Sequence, residues 1–252
     1  MFKRSSVRTC SVAAILAAAA FTQSVSAQPL PTDDQVISGT LPNGMKYLVK
    51  KHQNPPHRAN MWIHISSGSL NETDEQRGLA HYLEHMAFNG SENFPPGSVI
   101  KFFESMGLTF GQHQNAFTSF DQTTYQLAFP DTKPETLDKG MTFFADVAGR
   151  LLLTPAEIDE ERQVIIEEKR ARSGGAQRVQ EQILERIAPG SLLGKRLPIG
   201  TEESLLSVQE KNFRDYYSKY YVPSNMTVMV VADEDPALIV EHIKKNFGKG
   251  AI

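Results

Sequence analysis

The chain has almost no cysteine. The single one, Cys10, precedes an apolar run rather than following it, an order that argues against a lipid-anchored N-terminus. Without the first 27 residues the chain carries no thiol at all, which excludes disulfides, cysteine nucleophiles and thiolate metal sites. Any metal must then be held by His, Asp or Glu. Positive charge is not in excess either. There are 26 Lys and Arg against 29 Asp and Glu, a formal net charge of −3, and this is not the footprint of a nucleic-acid-binding protein. Long apolar runs are missing too: residues 11–21 (SVAAILAAAAF) are too few to span a bilayer. No repeat and no low-complexity stretch follows residue 30.

What is present begins with a three-part leader. Lys3, Arg4 and Arg8 precede the apolar run, and Val25-Ser26-Ala27 places small residues before Gln28. This is the pattern of a secretory signal peptide over residues 1–27, cleaved after Ala27. Its removal leaves 23 Lys and Arg against 29 Asp and Glu, net −6. The expectation is an exported protein, periplasmic in a bacterium, with one functional domain over residues 28–252 and no membrane span after cleavage.

Strands are expected at residues 35–40 and 46–50 about the turn Leu41-Pro42-Asn43-Gly44-Met45, at 61–66 (MWIHIS), and as a pair within 115–129. Helices are expected over 78–88, 99–106, 133–152, 205–220 and 236–246, with a buried strand at 226–231. A further helix opens at Thr154-Pro155-Ala156-Glu157, an N-cap threonine with proline at the first helical position, and ends before Gly174-Gly175. Strands and helices come in blocks, so the fold class is α+β: a mixed or antiparallel sheet packed against helices.

The chemistry lies in Gly78-Leu79-Ala80-His81-Tyr82-Leu83-Glu84-His85-Met86. A helix advances about 100° per residue, so His81 and His85 lie about 40° apart on one face and can reach one metal ion. Glu84 sits about 60° to the other side of His81, able to approach a metal-bound water without being a ligand. The rest of this helix is apolar, and buried charge without a partner is costly. Two histidines at this spacing alone are a weak signal. With Glu directly before the second His, the spacing is the inverted zinc motif.

A catalytic zinc needs a third protein ligand and an open position. In the helix that starts at Thr154, a helical wheel places Glu161 and Glu168 within a stripe formed by Ile158, Val164 and Ile165. Asp159, Glu160, Gln163 and Glu167 fall on the opposite, solvated side. Carboxylates that share a face with isoleucines call for a partner, so one of the pair is expected to meet the metal.

With these residues in place the chain resembles the insulinase/pitrilysin family, which includes the mitochondrial processing peptidases. The resemblance runs from about residue 35 to 250. It is carried by Gly68-Ser69, Glu75 and Gly78-Leu79-Ala80-His81, and by Met86-Ala87-Phe88-Asn89-Gly90. It is carried further by Asn115-Ala116, Thr118 and Thr124-Tyr125, by residues 161–168 (ERQVIIEE) and by 216–231. The resemblance implies a processing-peptidase-like metallohydrolase domain that binds Zn2+ through His81, His85 and Glu168. Glu161 would be the supporting carboxylate, or the ligand if the register slips. It implies Glu84 as the general base on the metal-bound water, and a peptide substrate held as an added strand by Asn115 and Ala116. His52, His57, His64, His113 and His242 fall outside the motif and read as surface or packing residues.

Members of that family usually pair two such domains around a chamber. The chain reaches Ile252 where the first domain would end, so a second-half domain or a partner subunit is expected. The alternative is a non-catalytic metal- or peptide-binding subunit. An intact general base argues against it.

Overall fold

A computed structural model of the chain describes residues 33–248. The signal-peptide reading, with Cys10, lies outside the described residues. Among the described residues no helix is long and apolar enough to cross a membrane.

Among the described residues six strands form one sheet: β1 (Val36–Thr40), β2 (Lys46–Lys51), β3 (Ala59–Ile65), β4 (Gln114–Thr118), β5 (Thr123–Phe129) and β6 (Met226–Ala232). Their order is β1-β2-β6-β3-β5-β4. Only β2 and β6 pair in parallel, so the sheet is mixed and the expected α+β class holds. Period-two alternation sorts the side chains. Val49, Met61, Ile63, Tyr125, Leu127, Val228 and Val230 are fully buried on one face. Trp62, Leu48 and Val231, which alternate with them, stay exposed on the other.

Among the described residues eight helices follow one another: α1 (Leu79–Met86), α2 (Val99–Ser105), α3 (Pro134–Gly149), α4 (Pro155–Arg172), α5 (Gly175–Ile187), α6 (Glu202–Ser207), α7 (Glu210–Tyr220) and α8 (Pro236–Phe247). α3 lies on the buried face, where Gly140 is so close to Phe129 and Met61 that a Cβ would approach the Phe129 ring to 2.7 Å. α1 packs on the same side through the Phe88 ring at its C-terminal end, 6.2 Å from that of Tyr125. Phe88, Phe94, Phe103 and Phe143 form a contiguous aromatic cluster beneath. Burying such large apolar groups is the dominant stabilising contribution.

The structure corrects three readings. Residues 205–220 are not one helix. α6 ends at Ser207, Val208 is extended, and α7 restarts after Gln209, whose N–H bonds Asn212 Oδ1 at 2.9 Å. The helix read over 133–152 stops at Gly149, and the chain turns through Leu153 at φ 50°. α5 has no counterpart among the expected helices. Gly174 does end a helical run, but it also serves as the N-cap of the next helix, a position glycine tolerates.

Candidate active site

α1 begins at a place only glycine suits. Gly78 has φ 93°, and a Cβ there would lie 2.9 Å from Gly200 Cα. The first free N–H groups of α1 are taken by a buried carboxylate. Glu72 accepts from Gly78 N at 3.0 Å and from Ala80 N at 2.8 Å. Burial pushes its carboxyl up to about 8, against those two bonds and the nearby Arg196. Glu75, one of the residues that carry the resemblance, is exposed and accepts from Thr73 Oγ1 at 2.9 Å. The residue that seats the histidine helix is therefore Glu72. Its one legible signal was a carboxylate placed ahead of a helix start.

α4 lies across α1. Its N-cap forms as read, with Thr154 Oγ1 accepting from Glu157 N at 3.4 Å. Tyr82, on α1, donates its hydroxyl to the Ile158 carbonyl and ties the two helices. The wheel is corrected at Val164, which is half exposed and lines the site. Arg162, which the wheel did not place, is buried and bonds the Leu205 and Val208 carbonyls. Glu161 and Glu168 do face α1. Glu160 and Glu167 are exposed, as expected.

Three side chains meet. His81 Nε2 is 3.6 Å and His85 Nε2 3.4 Å from Glu168 Oε2, and one donor atom from each of the three lies within 4.8 Å of the others. At 3.4 Å the His85 contact lacks hydrogen-bond alignment, so the buried Oε2 has charged neighbours but no hydrogen-bond donor. Donor atoms about 2.1 Å from a tetrahedral zinc lie about 3.4 Å apart, so this nitrogen and oxygen set fits that ion. Behind the cluster, His85 Nδ1 is 2.8 Å from Glu161 Oε1, and Glu161 Oε2 accepts from Asn89 Nδ2 at 2.7 Å. Glu161 thus faces the ring nitrogen opposite Glu168. Arg172, one turn beyond Glu168 on α4, pairs with its other oxygen.

Glu84 stands beside this group without joining it. It is buried and accepts from Thr118 Oγ1 at 2.6 Å. Burial raises its carboxyl to about 7 in spite of that bond. His81 is pulled down to about 4, by burial and by the neighbouring His85. Burial would also lower His85, but its hydrogen bond to Glu161 and its close approach to the Glu168 carboxylate outweigh it and lift the ring to about 9. His85 in turn holds Glu168 down at about 2, against burial. The pattern is a neutral imidazole, an ionised carboxylate and a carboxyl poised near neutrality, a combination suited to acid–base chemistry.

These groups open into a cavity of about 430 Å³, lined also by Phe88, Phe110, Phe117, Asn115 and Ala116. β4 pairs with β5 on one side only. The ladder bonds Ala128 N to the His113 carbonyl and Ser119 N to the Gln122 carbonyl, and antiparallel alternation then turns the Ala116 N–H toward the free edge. There it is taken by Asn115 Oδ1 at 2.9 Å. Of the remaining histidines, His64 contacts Thr124 and His242 contacts Asp138, consistent with packing roles.

The fold and site define an α+β domain with a His-His-Glu cluster built on the inverted zinc motif. Residues 47–197 match the family described as Insulinase (Peptidase family M16), and residues 207–250 match the description Peptidase M16 inactive domain. The chain belongs to the insulinase family, peptidase family M16. It is 38% identical over 223 residues to the probable zinc protease PqqL of Escherichia coli, covering 88% of this chain and 24% of that protein. The crystal structure of the first half of the periplasmic protease PqqL from Escherichia coli superposes with a TM-score of 0.84 at 37% identity, covering 88% of this chain and 47% of that one. Pitrilysin, at 23% identity and a TM-score of 0.71, shares the fold. The chain spans about a quarter of the length of PqqL and of two further curated relatives that it matches.

Proposed function

We propose that residues 28–252 form the catalytic domain of a zinc-dependent metallopeptidase that hydrolyses peptides or small unfolded proteins. The observation that carries the reading is the meeting of His81, His85 and Glu168 from two helices, with Glu84 beside them and outside the cluster. His81, His85 and Glu168 would hold Zn2+, which when bound supplies Lewis acidity toward water and the scissile carbonyl. Glu84, near neutrality in its buried setting and oriented by Thr118, takes the proton of the attacking water and returns it to the leaving amine. Glu161 orients His85 through Nδ1, a common arrangement behind metal-ligating histidines. The free edge of β4 holds the substrate backbone at Asn115 and Ala116, the peptide adding as a strand.

The relatives' greater length supports a second-half domain or partner subunit that closes the site and completes the chamber. The leader pattern, with PqqL of Escherichia coli described as a periplasmic protease, supports export to the periplasm. A non-catalytic binding subunit is the competing reading. Zinc stoichiometry by elemental analysis, with cleavage of an internally quenched peptide by the wild type and by Glu84→Gln, separates the two. The expected result is one zinc per chain in both and cleavage in the wild type alone. Zinc without any excess of wild-type cleavage, even beside a second-half partner, would leave the binding reading.

A further inference from the structure

Arg172 is the last residue of α4 and, among the described residues that line the cavity, the only lysine or arginine. Two arginines close that helix, and they divide their partners. Arg170 pairs with Glu167 and Glu202, whose side chains are 66% and 46% exposed. Arg172 pairs with Glu168, which is 24% exposed and lines the cavity. A carboxylate and an arginine four residues apart on a helix surface are an ordinary and weak pair. Glu210 with Arg214 and Lys211 with Asp215, on α7, are of that kind, their side chains reaching well into solvent.

Glu168 differs in how its two oxygens are used. Oε2 is buried, lies 3.6 Å and 3.4 Å from the Nε2 atoms of His81 and His85, and accepts no hydrogen bond. Oε1 is held by the Arg172 guanidinium. The neighbouring Glu161 is divided in the same manner, one oxygen facing His85 and the other accepting from Asn89. Each carboxylate of α4 in the site thus turns one oxygen to the histidines and has the other occupied from behind.

A carboxylate can give a metal ion one oxygen or both. The difference matters for chemistry, because a catalytic zinc needs three protein donors and one position left open. With His81 and His85 in place, one oxygen of Glu168 completes the three. Its second oxygen, if free, would compete for the fourth. A guanidinium offers donors only and does not lose its proton, so an oxygen bonded to it is kept from the ion at any working pH.

We propose that Arg172 is a positioning residue: it holds Glu168 to one-oxygen binding of the metal and so keeps the fourth position open for the reaction. The inference rests on the peptidase reading above. It assigns to α4, besides a ligand, the group that limits how that ligand binds.

The test loads the full chain with cobalt(II), a coloured stand-in for zinc, and titrates it with imidazole at about pH 8, where that probe is neutral. Imidazole enters an open metal position and changes the visible spectrum of the cobalt. Arg172→Met keeps a long side chain and removes its donors, and circular dichroism checks that the fold is intact. This variant is expected to bind cobalt as tightly as the wild type but to take imidazole about tenfold more weakly. Loaded with zinc, it is expected to lose about tenfold in kcat on a quenched peptide, with KM little changed. Loss of a nearby positive charge alone would not weaken a neutral probe. Arg172→Lys keeps a charged donor at the same spacing and is expected to lie near the wild type in each measurement. Equal imidazole affinity in the wild type and Arg172→Met overturns the proposal, as does a lysine variant no better than the methionine one. Absence of stoichiometric cobalt from every variant fails the metal reading and takes the proposal with it. The expected cobalt and imidazole results without cleavage by the zinc-loaded wild type fail the peptidase reading and keep the role of Arg172.

Discussion

Glu161 Oε1 lies 2.8 Å from Nδ1 of His85, while Nε2 of the same ring faces Glu168 Oε2 at 3.4 Å. Two carboxylates from one helix thus bracket a single imidazole. Asn89 occupies the other Glu161 oxygen and holds it in that orientation. On the proposed reading, the outer carboxylate would set the tautomer and angle of His85 as a ligand.

Glu161→Gln should therefore weaken zinc binding about 10- to 100-fold while leaving the fold intact. Competition with a chromogenic chelator measures the affinity and far-UV circular dichroism checks the fold. Unchanged affinity would remove Glu161 from the site.

Zinc uptake should release a proton. Without metal, His85 stays protonated up to about 9, whereas a bound imidazole must be neutral at the ligating nitrogen. His81, pulled down to about 4, and Glu168, at about 2, are already deprotonated at neutral pH. Below about 9 the apparent affinity should then rise with pH, by up to about tenfold per unit. Calorimetry at pH 7 in buffers of different ionisation enthalpy should show about one proton released per zinc. No release would contradict the protonated His85.

Glu72 makes stability depend on pH. Its carboxyl is raised to about 8 in the folded chain, above its ordinary value of 4.5, so the folded state binds more protons between those limits. Its contribution is complete below about 4.5 and is lost as pH rises toward about 8. Urea midpoints of the metal-free wild type should fall with pH across this window more steeply than those of Glu72→Gln, which cannot ionise. Parallel profiles for the two would show that Glu72 is ionised throughout.

Ala116→Pro tests the edge strand. Proline is tolerated where a strand N–H points away from its partner, so the fold should survive. The substitution removes the N–H that now meets Asn115 Oδ1. If peptides pair there, KM should rise severalfold to about tenfold, the loss of one backbone hydrogen bond, with kcat little changed. An unchanged KM would place the substrate elsewhere.

Local pattern made much of this legible in the sequence. Three-and-four spacing put His81, Glu84 and His85 on one short helix, and the same rule put Glu161 and Glu168 on one side of another. The Thr154 cap and the six strand segments are equally local, and each lies close to its expected place, although β6, expected as a buried strand, alternates between buried and partly exposed residues. Where a second local signal competed, the reading failed. The N-cap at Gln209 splits a run whose apolar content looks continuous, and Gly174-Gly175 both ends α4 and opens α5.

By itself the sequence determined the donor chemistry. A chain without thiols after its leader can offer a metal only nitrogen and oxygen, and the helical repeat decided which of them share a face. Tertiary structure decided which faces meet. Glu168 is 83 residues beyond His85 and reaches it only because Tyr82 and Ile158 tie α4 across α1. Val164 turned outward and Arg162 inward for the same reason: a wheel measures angles about one axis, whereas burial depends on the neighbour on each side. Glu72, rather than Glu75, seats the histidine helix because only its carboxylate reaches the free N–H groups at Gly78 and Ala80.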